Sequence, residues 1–149
     1  MKSKNCIEKN VSIILVNYKN YKDTIKCLDS LKKVMYQNLS IIVVDNNSKD
    51  DSFEILKEYE DDRIIVMESG FNRGFAFGNN FGIRKALEND SDYVLLLNND
   101  TVVDSDFLMA LTNLMIIIKP NFAKCFHIFS SQSISIQFGS MEMFKSLQI

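Results

Sequence analysis

Apolar and polar positions fall in blocks along this chain. Val11-Ser12-Ile13-Ile14-Leu15-Val16-Asn17 is an apolar, β-branched run that closes on a polar residue. Such a run predicts a strand buried on both faces. Ile41–Asp45, Ile64–Val66 and Tyr93–Leu97 repeat the pattern. Between these runs the apolar residues take helical spacing. Asn20 and Asp23 read as a helix start, followed by Ile25, Leu28, Leu31 and Met35. Ser48 to Asp51 reads as a cap for a short helix carrying Phe53, Leu56 and Tyr59. Phe75 to Leu87 predicts a third helix, and Ser105 to Ile118 an amphipathic helix stopped by Pro120. Four strand–helix units predict an α/β domain whose mostly parallel sheet carries helices on both faces. After Pro120, Ser133 to Phe138 alternates polar and apolar residues and predicts one strand near an edge. The chain thus divides into a polar tail (1–10), an α/β domain (11–120) and a divergent segment (121–149).

Composition narrows the partners. At 149 residues there is room for one domain. Apolar residues make up 46% and charged residues 24%, which is globular rather than disordered usage. The net charge of −2, with Arg63, Arg73 and Arg84 as the sole arginines, argues against nucleic acid. Cys6, Cys27 and Cys125 are odd in number and widely spaced. They give neither a disulfide framework nor a metal spacing, so a reducing, cytoplasmic setting is expected. Attachment to the cytoplasmic face of a membrane stays open. A spanning helix needs about 20 apolar residues, and Leu108 to Ile118, the longest stretch, is interrupted by Thr112 and Asn113. His127 is the lone histidine, which excludes sites built from several. No G-x-G-x-x-G follows the first strand and no P-loop occurs, so two common nucleotide folds are set aside.

In open parallel sheets, ligands bind at the carboxyl ends of the strands. Those ends carry Asn17-Tyr18, Asp45-Asn46-Asn47-Ser48, Glu68-Ser69 and Asn98-Asn99-Asp100-Thr101. Asn46, Asn47 and Ser48 read equally well as turn formers. Asp45 and Asp100 each end an apolar strand and read as functional carboxylates. Asp45 could accept hydrogen bonds from a base or ribose. Asp100 could hold Mg²⁺ or Mn²⁺, which take oxygen ligands. One carboxylate holds such an ion weakly, so a diphosphate must bring most other ligands, and metal and nucleotide should bind together. Gly70, Gly74, Gly78 and Gly82 recur every four residues. Glycine inside a helix costs about 1 kcal/mol relative to alanine. The bare face it leaves admits close approach of a strand or a ligand. Arg73 either pairs with phosphate or sits in solvent.

Four segments together resemble family 2 glycosyltransferases of the GT-A fold, in particular the rhamnosyltransferase-like branch. They are Val11–Tyr18, Val43–Ser48, Asn72-Arg73-Gly74-Phe75-Ala76-Phe77-Gly78-Asn79-Asn80-Phe81-Gly82, and Leu95–Thr101. The resemblance covers roughly residues 11 to 118 and implies a Rossmann-like sheet, truncated in its C-terminal half. It implies a site for a UDP- or dTDP-linked sugar. Asn17, Asp45 and Asn47 would hold the nucleoside, and Asn72, Gly74 and Gly78 would border the base and diphosphate. Asn98, Asn99 and Asp100 stand where the family carries its Asp-x-Asp motif, with Asp100 as ligand of Mg²⁺ or Mn²⁺. The implied acceptor is a polysaccharide or a lipid-linked glycan. Inverting members place a catalytic base well beyond this motif, but the later acidic residues are Asp104, Asp106 and Glu142 alone, and none is assigned. The alternative is a non-catalytic nucleotide-sugar-binding module that lacks the acceptor half. Ile134, Ile136, Phe138, Met141, Met143 and Phe144 are expected to cover the sheet or to pair with a second copy.

Overall fold

The computed structural model describes residues 9–118 and 125–128. Its elements run β1 (Val11–Asn17), α1 (Tyr21–Leu31), β2 (Leu39–Asp45), α2 (Ser52–Lys57), β3 (Ile64–Glu68), α3 (Phe75–Glu88), β4 (Tyr93–Leu97), α4 (Phe107–Ile118) and β5 (Cys125–Ile128). The strands form one sheet in the order β3-β2-β1-β4-β5, and every pairing is parallel. Ile13 sits at its centre, opposite Ile41 on one side and Leu95 on the other.

The continuous apolar runs are explained by a core on each face. Successive side chains of a strand point to opposite sides. Ile13, Leu15, Ile41, Val43, Leu95 and Leu97 therefore pack with Cys27, Leu28 and Leu31 of α1, Leu56 of α2 and Leu108 of α4. Ile14, Ile42, Val44, Val94 and Leu96 face the other way, onto Ile83 and Ala86 of α3. Burying each such side chain stabilises the fold by about 1.5–3 kcal/mol. On this second face the helix comes unusually close. A Cβ built on Gly82 would lie 2.5 Å from Ile14 Cγ2 and 3.2 Å from Val44 Cγ2.

The β3 edge is not left open. Glu60 accepts a hydrogen bond from Val66 N–H at 2.9 Å, and Lys57 Nζ donates to Val66 C=O at 3.3 Å. Lys57 and Glu60 also pair with each other at 2.7 Å. That bond, then the Val66 amide, holds the Glu60 carboxyl below the usual carboxylate range. The clamp satisfies backbone groups that an edge strand would otherwise offer to another chain.

Several expected boundaries shift. Met35 does not continue α1. The helix ends at Leu31, and Met35 N–H bonds the carbonyl of Ser105 at 2.9 Å, leaving its side chain exposed. Ser48 does not cap α2, because its hydroxyl is held by Asp45. The last helix starts at Phe107 rather than Ser105. The edge strand is Cys125–Ile128, pairing with β4, a segment whose sequence carried no clear strand signal. The strand expected at Ser133 to Phe138, and the apolar residues from Ile134 to Phe144, lie outside the described residues.

Candidate functional site

From β1 the chain passes through α1 to β2 on one side, whereas β3 leads through α3 to β4 on the other side of β1. The strand order therefore reverses between β1 and β4, the place where open α/β sheets bind ligands. A cleft of about 360 Å³ opens there. Tyr18 and Asn20 line it after β1, Asn46 after β2, Asn72, Gly74 and Phe75 around the start of α3, and Asn98, Asn99 and Asp100 after β4.

Behind the cleft lies a buried polar brace. Asp45 is 1% exposed, and three donors surround its carboxylate. Asn17 Nδ2 reaches Oδ1 at 2.7 Å, the Ser48 hydroxyl reaches the same oxygen, and Ser48 N–H reaches Oδ2 at 2.9 Å. Asn17, fully buried, accepts from the Thr24 hydroxyl at 2.9 Å. Ser48 Oγ also takes the backbone N–H of Lys19 at 3.0 Å. Lys19, Asn47 and Lys49 all have positive φ, at 56°, 59° and 58°. Non-glycine residues there cost free energy and persist only where the surroundings fix them. The brace is what fixes these two loops.

On the α3 side, Asn46 ties the loops together. Its Nδ2 donates to Asn72 Oδ1 at 3.1 Å and to the Gly74 carbonyl at 3.2 Å, and its Oδ1 accepts from Ser69 Oγ at 3.1 Å. Gly74 has φ +88°, a conformation that favours glycine, and it starts α3 without a side-chain cap. Helix α1 likewise starts at Asn20 with no side-chain cap. Two helix amino termini without side-chain caps therefore meet the cleft, and such ends favour anions. Next to Gly74, the Arg73 guanidinium lies 5.7 Å from the ring centres of both Phe71 and Phe77.

On the β4 side, α1 holds the 98–103 loop along one stripe. Thr24 Oγ1 accepts from Asn99 Nδ2 at 2.8 Å, Cys27 Sγ lies 4.0 Å from the Asn98 carbonyl, and Ser30 Oγ accepts from Val103 N–H at 3.2 Å. Burial, and secondarily the Asp100 charge, push the Cys27 thiol up to about 12. Asp100 itself is exposed and is the sole carboxylate among the described residues that line the cleft. No group of three metal-ligating side chains occurs among the described residues. The donor set suits a hard divalent cation only if a ligand brings further oxygens, as a diphosphate does.

The expected site residues divide accordingly. Asn72, Gly74, Asn98, Asn99 and Asp100 come together on the cleft wall. Asn17 and Asp45 do not. The donors expected from a nucleoside come to Asp45 from Asn17 and Ser48, so both residues support the cleft from beneath. Gly78 is also behind the wall. A Cβ there would meet Val16 Cγ1 at 2.8 Å and Asn46 Cγ at 3.5 Å, so the glycine seats α3 against β1. Asn47 is half-buried, does not line the cleft, and its Oδ1 has no partner among the described residues. Tyr18, Asn20, Asn46 and Phe75 line the cleft without having been singled out. Tyr18 and Asn46 stand in the polar runs that end β1 and β2, Asn20 at a helix start and Phe75 in the Asn72–Gly82 segment, but none was assigned to the site.

This fold and cleft define an open parallel α/β domain with a polar cleft where its strand order reverses, and comparison with known proteins places it. The chain belongs to glycosyl transferase family 2, whose model matches residues 12–137. It is 29% identical over 103 residues to the glycosyltransferase GlyG of Streptococcus pneumoniae, covering 68% of this chain and 33% of that protein. It is 34% identical over 91 residues to WfaP of Escherichia coli, a UDP-Glc:α-D-GlcNAc-diphosphoundecaprenol β-1,3-glucosyltransferase, covering 60% and 35%. The chain therefore spans about a third of the length of these relatives. Among solved structures it is similar to Staphylococcus aureus TarS in complex with UDP-GlcNAc (TM-score 0.64, 21% identity, 72% of this chain and 31% of that one). It is also similar to the mannosyltransferase PcManGT of Pyrobaculum calidifontis with GDP-Man and Mn²⁺ (TM-score 0.56, 22% identity, 69% and 31%). At these identities the likeness shows the fold, which is GT-A.

Proposed function

We propose that this domain binds a nucleotide-diphosphate sugar, UDP- or dTDP-linked, together with Mg²⁺ or Mn²⁺. The sugar is the donor for transfer to a polysaccharide or lipid-linked acceptor, as in the rhamnosyltransferase-like branch. The observation that carries this reading is one cleft shared by two uncapped helix starts and the Asp100 carboxylate. The helix ends suit the diphosphate, and Asp100 suits a cation bridging to it. The family relationship supports the reading, as do the donors named for WfaP, TarS and PcManGT. Tyr18 and Phe75, each about half exposed on the cleft wall, offer faces for a base or sugar ring. When bound, the cation would offset the negative charge gathered on the leaving diphosphate. The protein's own groups bind and orient. Asn46 and Asn72 fix the rim at Gly74, and Asn98 and Asn99 line the same cleft as Asp100.

Calorimetric titration with UDP-sugar, with and without Mn²⁺, tests this. Asp100→Ala is expected to remove the metal-dependent gain in affinity and leave the metal-independent part. Equal affinity of Asp100→Ala and the parent protein with Mn²⁺ present would overturn the assignment. Release of nucleoside diphosphate on adding acceptor would separate a transferase from a domain that only binds donor.

A further inference from the structure

We propose that Thr24 is a positioning residue for Asp100, acting through Asn99, in a relay whose direction is set by Asp45. The inference rests on the donor-site reading above. Along the relay each side chain leaves the next one orientation. Asp45 offers acceptor oxygens, so the amide Nδ2 of Asn17 faces it, at 2.7 Å. Asn17 Oδ1 is then turned to Thr24 and must be given a proton. The Thr24 hydroxyl donates it at 2.9 Å, the nearer of its two acceptors, the other being the Asn20 carbonyl one turn back at 3.2 Å. A hydroxyl has one proton and spare lone pairs. It therefore accepts from a donor on its other side, and Asn99 Nδ2 supplies that bond at 2.8 Å. The Asn99 amide is thereby fixed with Nδ2 inward, and its Oδ1 has no partner among the described residues of a cleft that Asn99 lines. Asp100 is the next residue.

This relay joins two loops that the fold supplies separately. Asp45 and Asn17 end β2 and β1, the half of the sheet on which the β2 loop and α3 are built. Asn98 to Asp100 end β4, beyond the switch point. Thr24, on the first turns of α1 and fully buried, is the side chain that bonds both. Cys27 and Ser30 continue the same stripe to Asn98 and Val103, so the loop is held at three successive points. Of these, only the Thr24 contact leads back to the Asp45 brace.

Thr24→Val keeps the branched shape but leaves Asn17 Oδ1 and Asn99 Nδ2 unpaired, whereas Thr24→Ser keeps the hydroxyl. Outer partners that orient metal ligands are typically worth roughly ten- to a hundredfold in metal affinity. The experiment is titration of UDP with and without Mn²⁺, and of uridine alone, for the parent protein, Thr24→Val and Thr24→Ser. Circular dichroism checks that each is folded. Thr24 acts through Asn99 and does not bond Asp100 itself, so the expected result is a loss of up to about tenfold of the Mn²⁺-dependent gain in Thr24→Val, the low end of that range. Uridine affinity should be unchanged and Thr24→Ser close to the parent. A Mn²⁺-dependent gain in Thr24→Val equal to the parent's would overturn the positioning role and leave the donor site standing. Equal losses in Thr24→Val and Thr24→Ser, or a parallel loss of uridine affinity, would reduce Thr24 to a packing residue and also overturn it. A parent protein with no Mn²⁺-dependent gain would overturn the donor-site reading itself, and the positioning role with it.

Discussion

At the scale of single residues, what decides a carboxylate's role is where its donors come from. Asp45 and Asp100 look alike in sequence, each closing an apolar strand before a polar turn. Asp45 is surrounded by protein donors and sealed. Asp100 stands exposed in the cleft. Sequence shows that acceptors end these strands, but not whether Asn17 and Ser48 or a ligand will supply the protons. Cys27 makes the same point for thiols. It is free, fully buried and pushed up to about 12 from an ordinary 9.0, mainly by burial and then by Asp100. The thiolate is the reactive form. A protein carrying Cys6→Ser and Cys125→Ser should therefore leave Cys27 unmodified by a thiol reagent at pH 8 and release it to the reagent in urea. The raised value also sets a sign. The unfolded chain ionises Cys27 near pH 9 and the folded one does not until about 12. Stability from this group is complete below pH 9 and lost as pH rises through that window. A Cys27→Ala variant that loses stability just as steeply between pH 9 and pH 11 would show that other groups govern this range.

At the scale of elements, legibility followed how local the cause was. The four long strands were readable because burial on both faces demands continuous apolar runs, and β1 and β4 begin where expected. Met35 kept helical spacing with Leu28 and Leu31, yet its N–H is taken by Ser105, some seventy residues on, and the chain leaves the helix to make that bond. Nothing near Met35 announces it. β5 is four residues of mixed character, recognisable only once β4 offers a free edge. The α3 glycines were legible as a bare face but not as to what fills it. The structure answers with Ile14, Val16, Val44 and Asn46. Gly82→Ala measures that packing. Alanine gains about 1 kcal/mol of helix propensity, but its methyl would sit 2.5 Å from the γ-methyl of Ile14, a residue with 0% exposure. Ile14 has no open space to move into, and overpacking costs about 1–3 kcal/mol. The expected result is a net loss of about 1 kcal/mol or more in urea unfolding. A stabilised Gly82→Ala would show that α3 can lift from the sheet without penalty.

At the scale of the molecule, the cleft exists only because the strand order reverses at β1. Its walls come from the ends of β1, β2 and β4 and from the start of α3, segments spread from Val16 to Asp100. An unfolded chain cannot assemble them, so a cleft ligand binds the folded state alone and must raise its stability. At 100 times its dissociation constant the gain is about 2.7 kcal/mol. For a domain of this size each kcal/mol raises the melting temperature by about 2–4 °C, so the shift is roughly 5–11 °C. The arrangement also dictates which additions should act together. Asp100 is the sole cleft-lining carboxylate among the described residues and holds a cation weakly unless a diphosphate adds oxygens. Mn²⁺ alone should leave the melt unchanged, UDP- or dTDP-sugar alone should shift it little, and the two together should give the full shift. Such a synergy requires one site that holds both, because independent sites would give shifts that simply add. Additive shifts would put metal and nucleotide at separate sites and overturn Asp100 as the group that joins them, and no shift with either nucleotide would mean that the polar residues at these strand ends serve the loops of the fold and not a sugar donor.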